Sequence, residues 1–172
     1  MKIGLFGGSF DPAHEGHAHV AETALKRLGL DRVWWLVSPQ NPLKLKSSAF
    51  AERLASAKAM AHGAKMVVTD LEQRLGCGFT YETLRWLKRL YPGVDFVLVM
   101  GADNLGNFRK WRNWREVARA VPVVIVSRPG AGPAKRLAAP AGWTYLNARF
   151  NPQSSTSLRA AKARALAKPR RK

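Results

Sequence analysis

Carboxylates are scarce in this 172-residue chain: 11 Asp and Glu stand against 29 Lys and Arg, for a formal net charge of +18. So few acids leave little material for paired-carboxylate or metal chemistry. No acidic side chain follows Glu116, so any catalytic or metal-binding carboxylate must lie before it. Cysteine is rarer still. A single Cys77 excludes an internal disulfide framework and a multi-cysteine zinc site within one chain. Its setting, Gly76-Cys77-Gly78, offers no neighbouring base to make it a nucleophile. No apolar run approaches the ~20 residues that span a bilayer. The stretch Met1–Gly8 breaks into glycines too early for a signal peptide. A cytoplasmic protein without a membrane partner is expected.

What is present suits one folded domain. The chain is 47% hydrophobic and 23% charged, enough to bury a core. A single domain over residues 1–167 is expected, followed by a basic tail at 168–172. The charge is segregated: residues 1–104 carry 13 basic and 10 acidic side chains, and residues 105–172 carry 16 and one. Such a basic half raises a nucleic-acid-binding protein as one reading.

Short β-rich apolar runs alternate with helical patterns. Lys2–Phe6, Val33–Val37, Met66–Thr69, Phe96–Met100, Val121–Val126 and Trp143–Leu146 read as strands, mostly without polar alternation. Continuous apolar strands suit a parallel sheet covered on both faces. The spacing predicts helices over His17–Leu28, ended by Gly29, over Ala49–Ala61, ended near Gly63, and over Thr80–Leu90, closed by Pro92-Gly93. A shorter helix follows at Asn113–Ala120, and a basic amphipathic one from about Ser155 to Leu166. Residues 128–142 are broken by Pro and Gly and read as a loop. The pattern is α/β: a three-layer, Rossmann-like, doubly wound and mostly parallel sheet.

In such a sheet, ligands bind beyond the carboxyl ends of the strands. The first such place is Gly7-Gly8-Ser9-Phe10-Asp11-Pro12-Ala13-His14-Glu15-Gly16-His17. Two glycines let the backbone approach a ligand, and their N–H groups can point at phosphate oxygens. The helix starting near His17 adds unpaired N–H groups and the positive end of its dipole. His14 and His17, three residues apart, can aim at one anion. Neither a Walker A pattern nor a spaced GxGxxG occurs, so this is a different kind of phosphate loop.

This string resembles the signature of the His-x-Gly-His nucleotidyltransferase superfamily, with His14-Glu15-Gly16-His17 as the motif. Three further segments are similar to bacterial nicotinate-nucleotide adenylyltransferases. They are Phe79-Thr80-Tyr81-Glu82-Thr83-Leu84, Gly101-Ala102-Asp103-Asn104-Leu105 with Phe108, Trp111 and Trp114, and Ser154-Ser155-Thr156-Ser157-Leu158-Arg159. Phe79 and Glu82 are mild departures, and Leu43 stands where the family often has a histidine. The alternative within the superfamily, pantetheine-phosphate adenylyltransferase, usually starts its motif with Thr where this chain has His14, and lacks the Trp-rich segment.

Several of these residues have a physical reading of their own. Thr80 would cap a helix, a plain structural role or a small carboxylate site. Asp103, at the end of the fourth strand, can accept from a sugar or ring substituent, or cap the next turn. Trp111 suits either the core or the face of a pyridine ring. Ser154, Ser155 and Thr156 open the last helix as a second anion site, which Arg159 reaches one turn along. Lys44 is either a mobile cation or a solvated lysine, and Arg128 either serves ATP or fixes its turn.

The resemblance implies transfer of an adenylyl group from ATP to nicotinate mononucleotide, with Mg²⁺ held mainly by phosphate oxygens. His14, His17 and Arg159 would be catalytic. Gly7, Gly8, Ser9, Phe10, Lys44, Arg128, Ser154, Ser155 and Thr156 would bind ATP. Thr80, Asp103 and Trp111 would bind nicotinate mononucleotide. No protein metal site and no specific nucleic-acid partner are expected, and the chain would be a monomer or homo-oligomer.

Overall fold

The computed structural model describes residues 1–39, 47–127 and 142–147. Six strands form one sheet: β1 (Lys2–Gly8), β2 (Arg32–Val37), β3 (Met66–Thr69), β4 (Asp95–Gly101), β5 (Val123–Ser127) and β6 (Thr144–Asn147). Their order is β3-β2-β1-β4-β5-β6, and every pairing is parallel. The helices between them are α1 (Glu15–Arg27), α2 (Phe50–Met60), α3 (Leu71–Arg74), α4 (Thr80–Leu90), α5 (Leu105–Phe108) and α6 (Trp114–Ala120), with a 3₁₀ turn at Ala102–Asn104 before α5.

Successive residues of a strand point to opposite faces, so an all-apolar strand feeds two cores at once. Phe6, Val33, Trp35, Val97, Val99 and Val124 join Val20, Ala21 and Ala24 of α1 and Ala57 of α2 on one side. Ile3, Leu5, Phe96, Leu98, Met100 and Ile125 join Leu84 and Leu87 of α4 and Val117 of α6 on the other. Three layers result, as the alternation of strands and helices predicts. Gly4 marks where packing is tightest: a Cβ there would sit 2.7 Å from Leu30 Cδ1.

The six strands lie where the apolar runs place them, with no end moved by more than two residues. Helix α1 starts two residues earlier than expected, because His14 takes the cap position. Gly29 and Gly63 follow helices with φ of +58° and +94°, the left-handed conformation a helix-ending glycine adopts. Val121 belongs to the end of α6, not to the fifth strand. The short α3 and α5 and the 3₁₀ turn have no counterpart in the periodicity. The expected helix from Ser155 and the basic tail lie outside the described residues. No helix among the described residues is long and apolar enough to cross a membrane.

Strand β1 is central: the chain runs out from it through β2 and β3 on one side, then crosses back to β4 on the other. That is the topological switch point of an open α/β sheet, where a crevice forms beyond the strand ends. Register pairs Phe6 with Val99, so Gly8 and Gly101, each two residues on, end side by side at that crevice.

Candidate active site

Gly7 and Gly8 are the last two residues of β1, not a turn. A Cβ on Gly7 would meet nothing within 4 Å, so that backbone faces open space. A Cβ on Gly8 would press on the Phe10 ring at 3.1 Å. The turn comes at Phe10, whose φ is +46°. Its ring is 1% exposed and lies 5.5 Å from Phe6, 5.2 Å from Trp35 and 5.1 Å from the imidazole of His17. The Phe10 side chain is therefore a floor under the loop, out of reach of a ligand above it. Ser9 lies between the two, with its carbonyl turned inward to Arg53.

The two histidines close the start of α1 in a reciprocal pair. The Gly16 N–H donates to His14 Nδ1 at 3.0 Å, and the His14 N–H donates to His17 Nδ1 at 3.2 Å. Histidine here does what Ser and Glu do in the usual capping box. Both Nδ1 atoms act as acceptors, so in the neutral rings the proton sits on Nε2. The ring centroids are 3.9 Å apart. His14 is 3% exposed and His17 is half-buried. Two imidazole N–H donors are thus fixed at the positive end of a 13-residue helix, an arrangement made for anionic oxygens.

A second group of residues gathers at the start of α4. Phe79, not Thr80, is the cap residue, with extended backbone at φ −137° and ψ 146°, and Thr80 is the first helical residue. The expected cap at Thr80 is thus moved one residue back, because Phe79 keeps extended backbone and Thr80 is already helical. The Glu82 carboxylate reaches back to accept from Gly78 N–H at 3.0 Å and Phe79 N–H at 3.2 Å, which fixes that start. Burial works to raise the Glu82 carboxyl, but these bonds, the Tyr81 hydroxyl and Arg112 outweigh it and hold it below its usual range. Below lies Glu72, buried and hydrogen-bonded by the Thr83 hydroxyl at 2.9 Å. Burial pushes its carboxyl up to about 7, and the Thr83 bond only partly opposes that. Cys77 is buried beside it with its thiol pushed up by the same burial, a setting that favours the thiol over the reactive thiolate.

Trp111 is half-buried, its ring 5.2 Å from Phe108, which also touches Trp143 at 4.7 Å and Trp114 at 6.1 Å. One edge of this aromatic cluster belongs to the core. The next residue, Arg112, lies over the Phe79 ring at 5.0 Å and so brings the Trp111 segment beside the start of α4. Asp103 sits in the exposed 3₁₀ turn at the end of β4. The structure therefore places His14 and His17 at the end of β1 and Asp103 at the end of the adjacent β4, with Thr80 and Trp111 on neighbouring segments. Lys44, Arg128, Ser154, Ser155, Thr156 and Arg159 lie outside the described residues.

One residue of the site was missed on sequence. Arg53 of α2 is 2% exposed and bonds to the loops after β1 and β2. A signal was available: Phe50, Arg53 and Ala57 share one helical face, so a charge there points inward. Among the described residues no group of three or more His, Cys, Asp or Glu could hold a metal ion.

The cytidylyltransferase-like family matches residues 5–161. The chain is 50% identical over 183 aligned positions to the probable nicotinate-nucleotide adenylyltransferase of Caulobacter sp. (strain K31), covering 92% of this chain and 97% of that one. It is 51% identical over 181 positions to the protein of the same name in Roseobacter denitrificans, covering 91% and 90%. In fold it is similar to Plasmodium falciparum nicotinic acid mononucleotide adenylyltransferase complexed with NaAD, with a TM-score of 0.73, 20% identity, and coverage of 92% and 82%. The chain belongs to the cytidylyltransferase-like family and, within it, to the nicotinate-nucleotide adenylyltransferases.

Proposed function

We propose that the reciprocal histidine pair is the centre of an adenylyl transfer from ATP to nicotinate mononucleotide, giving nicotinate adenine dinucleotide and pyrophosphate. An oxygen of the acceptor's phosphate attacks the α-phosphorus of ATP. The new P–O bond forms as the bond from the α-phosphorus to the bridging oxygen breaks, and that electron pair leaves with pyrophosphate. The acceptor phosphate is largely ionised at neutral pH, its second pKa being about 6, so no strong base is needed. Catalysis then rests on holding two anions in line and stabilising charge on the α-phosphate and leaving group.

The residues divide accordingly. His14 and His17 donate through Nε2–H to phosphate oxygens, His17 nearest the α-phosphate. Gly7, Gly8, Ser9 and Phe10 line the nucleotide through their backbone. Ser154, Ser155, Thr156 and Arg159 take the β- and γ-phosphates, with Lys44 and Arg128 assisting. Thr80, Asp103 and Trp111 receive the nicotinate side, where the first-turn N–H groups of α4 suit a carboxylate. The donors around the histidines are N–H groups, which bind oxygen and not a cation. Mg²⁺ would be held mainly by the phosphate oxygens of ATP, and would supply charge neutralisation there.

The observation that carries this reading is the pair of Nδ1 atoms locked by backbone N–H groups, which aims both Nε2–H donors from one helix start. The test is pyrophosphate release from ATP with nicotinate mononucleotide, nicotinamide mononucleotide and phosphopantetheine as acceptors. Release with the first in clear preference is expected. Release with phosphopantetheine alone, or with no acceptor, would overturn the reading.

A further inference from the structure

Arg53 is a buried cation whose work the mechanism above leaves unassigned. Its Nε donates to the Ser48 carbonyl at 3.0 Å, and Nη1 donates to the Ser9 and Ser38 carbonyls at 2.9 and 2.7 Å. Nη2 donates to the Pro39 carbonyl at 2.6 Å, and the guanidinium lies 5.4 Å from the Phe50 ring centroid. Burial pulls its pKa below the ordinary value, and the charge of Asp11 works the other way. Four carbonyls around one planar fork is a set that lysine's three donors on a single nitrogen cannot reproduce.

These carbonyls come from three separate stretches: the loop after β1, the end of β2 and the entry to α2. The Ser9 bond bears on the histidines. With its carbonyl turned to Arg53, the Ser9–Phe10 peptide plane is set, and planarity sends the Phe10 N–H to the opposite side. Phe10 then takes its left-handed φ of +46°, a conformation a bulky residue adopts only where its surroundings hold it. The Phe10 ring in turn meets the His17 imidazole edge-on at 5.1 Å. Helix α2 and its entry hold the same loop at two more points. Ser56 Oγ accepts from Ala13 N–H at 2.9 Å, and Asp11 Oδ2 accepts from Ser48 N–H at 3.3 Å.

We propose that Arg53 is a positioning residue for adenylyl transfer. By fixing the Ser9–Phe10 peptide against the end of β2, its guanidinium sets where His17, and with it His14, presents Nε2–H to the transferred phosphate. The proposal rests on the adenylyl-transfer reading. It also engages acceptor oxygens that would otherwise repel phosphate at this end of the sheet. A displacement of about 1 Å in such a group costs about 100-fold in rate.

The test compares the wild type with Arg53→Lys and Arg53→Gly. Arg53→Lys keeps the cation and loses the fork. Its kcat should fall by about 10- to 100-fold, with the KM for each substrate within about threefold. The ring resonances of His14 and His17 should move in the NMR spectrum while those of His62 stay in place. Millimolar guanidinium added to Arg53→Gly should restore turnover saturably, an effect that a merely stabilising side chain would not give. A folded Arg53→Lys protein with kcat within twofold of wild type and unshifted His14 and His17 resonances would overturn the proposal. A wild type that releases no pyrophosphate would instead sink the adenylyl-transfer reading, and the histidine resonances would still decide whether Arg53 positions the loop.

Discussion

The histidine loop and the α4–α6 surface both use arginine, and they use it in opposite ways. At the loop, a single guanidinium is 2% exposed and each of its three nitrogens donates to a backbone carbonyl. On the surface, Arg85, Lys88, Arg89, Arg112, Arg115 and Arg119 are exposed, and Arg85 pairs with Glu116 in the open. Removing a partner from a buried hydrogen-bonded charge costs several kcal/mol, whereas an exposed ion pair is worth about 0–1 kcal/mol. Charge that can be counted in a sequence therefore says less about function than charge that has been taken out of water. Among the described residues, nearly every Lys and Arg other than Arg53 is exposed.

Four substitutions sharpen that contrast. The largest effect belongs to His17→Ala, which removes one of the two donors proposed to face the phosphates. Loss of a preorganised donor of this kind lowers kcat by about 100- to 1,000-fold. Steady-state pyrophosphate release should show this with the circular dichroism spectrum unchanged.

Glu72→Gln comes next and acts on stability. The folded-state carboxyl lies at about 7 against an ordinary 4.5, so the protonated form is the one the fold favours. That stabilisation is fully present below pH 4.5 and is lost as pH rises through 7, a difference of about 3 kcal/mol at about 1.4 kcal/mol per pKa unit. Urea unfolding at a series of pH values should show the wild type losing this amount relative to Glu72→Gln between pH 4.5 and 7.5. Parallel curves would mean that Glu72 does not titrate in this window.

Trp111→Ala removes the aromatic face assigned to the pyridine ring. Its KM for nicotinate mononucleotide should rise by about tenfold, the equivalent of about 1.4 kcal/mol for a lost aromatic contact, with the KM for ATP unchanged. An equal rise in both would make Trp111 a core residue only. The smallest effect is expected from Arg85→Ala, which opens the surface pair with Glu116. Its unfolding free energy should change by less than about 1 kcal/mol.

Much of this arrangement is legible in the chain before any coordinates. Strands that must be apolar on both faces announce themselves as unbroken runs such as Val33–Val37 and Phe96–Met100. Gly29 and Gly63 mark helix ends because few other residues adopt their φ. The histidine loop is found by its string of residues. What lies below that string is not legible in the same way. His14 and His17 cap their own helix, a task usually read from Ser, Thr, Asp or Asn, so the helix start is placed late. Arg53 gains its partners from positions as far as 44 residues away, and only the fold brings Ser9, Ser38 and Ser48 together. Thr80 is not the cap because the helix begins one residue earlier, at an extended Phe79 whose N–H is taken by the Glu82 carboxylate, and a Phe cap is not a signal the sequence offers. Helices of four residues, such as Leu71–Arg74 and Leu105–Phe108, are too short for any periodicity.

The central claim is that the histidine pair carries the activity and the basic surface does not. It is tested by pyrophosphate release from ATP and nicotinate mononucleotide, measured side by side for three proteins at about 0.15 M salt, where the Debye length is about 8 Å. They are the wild type, His17→Ala and a triple variant, Arg85→Gln with Arg89→Gln and Arg119→Gln. The expected result is a loss of about 100- to 1,000-fold in His17→Ala and a triple variant within about threefold of wild type. Near-normal turnover by His17→Ala, or collapse of the triple variant while it remains folded, would contradict it.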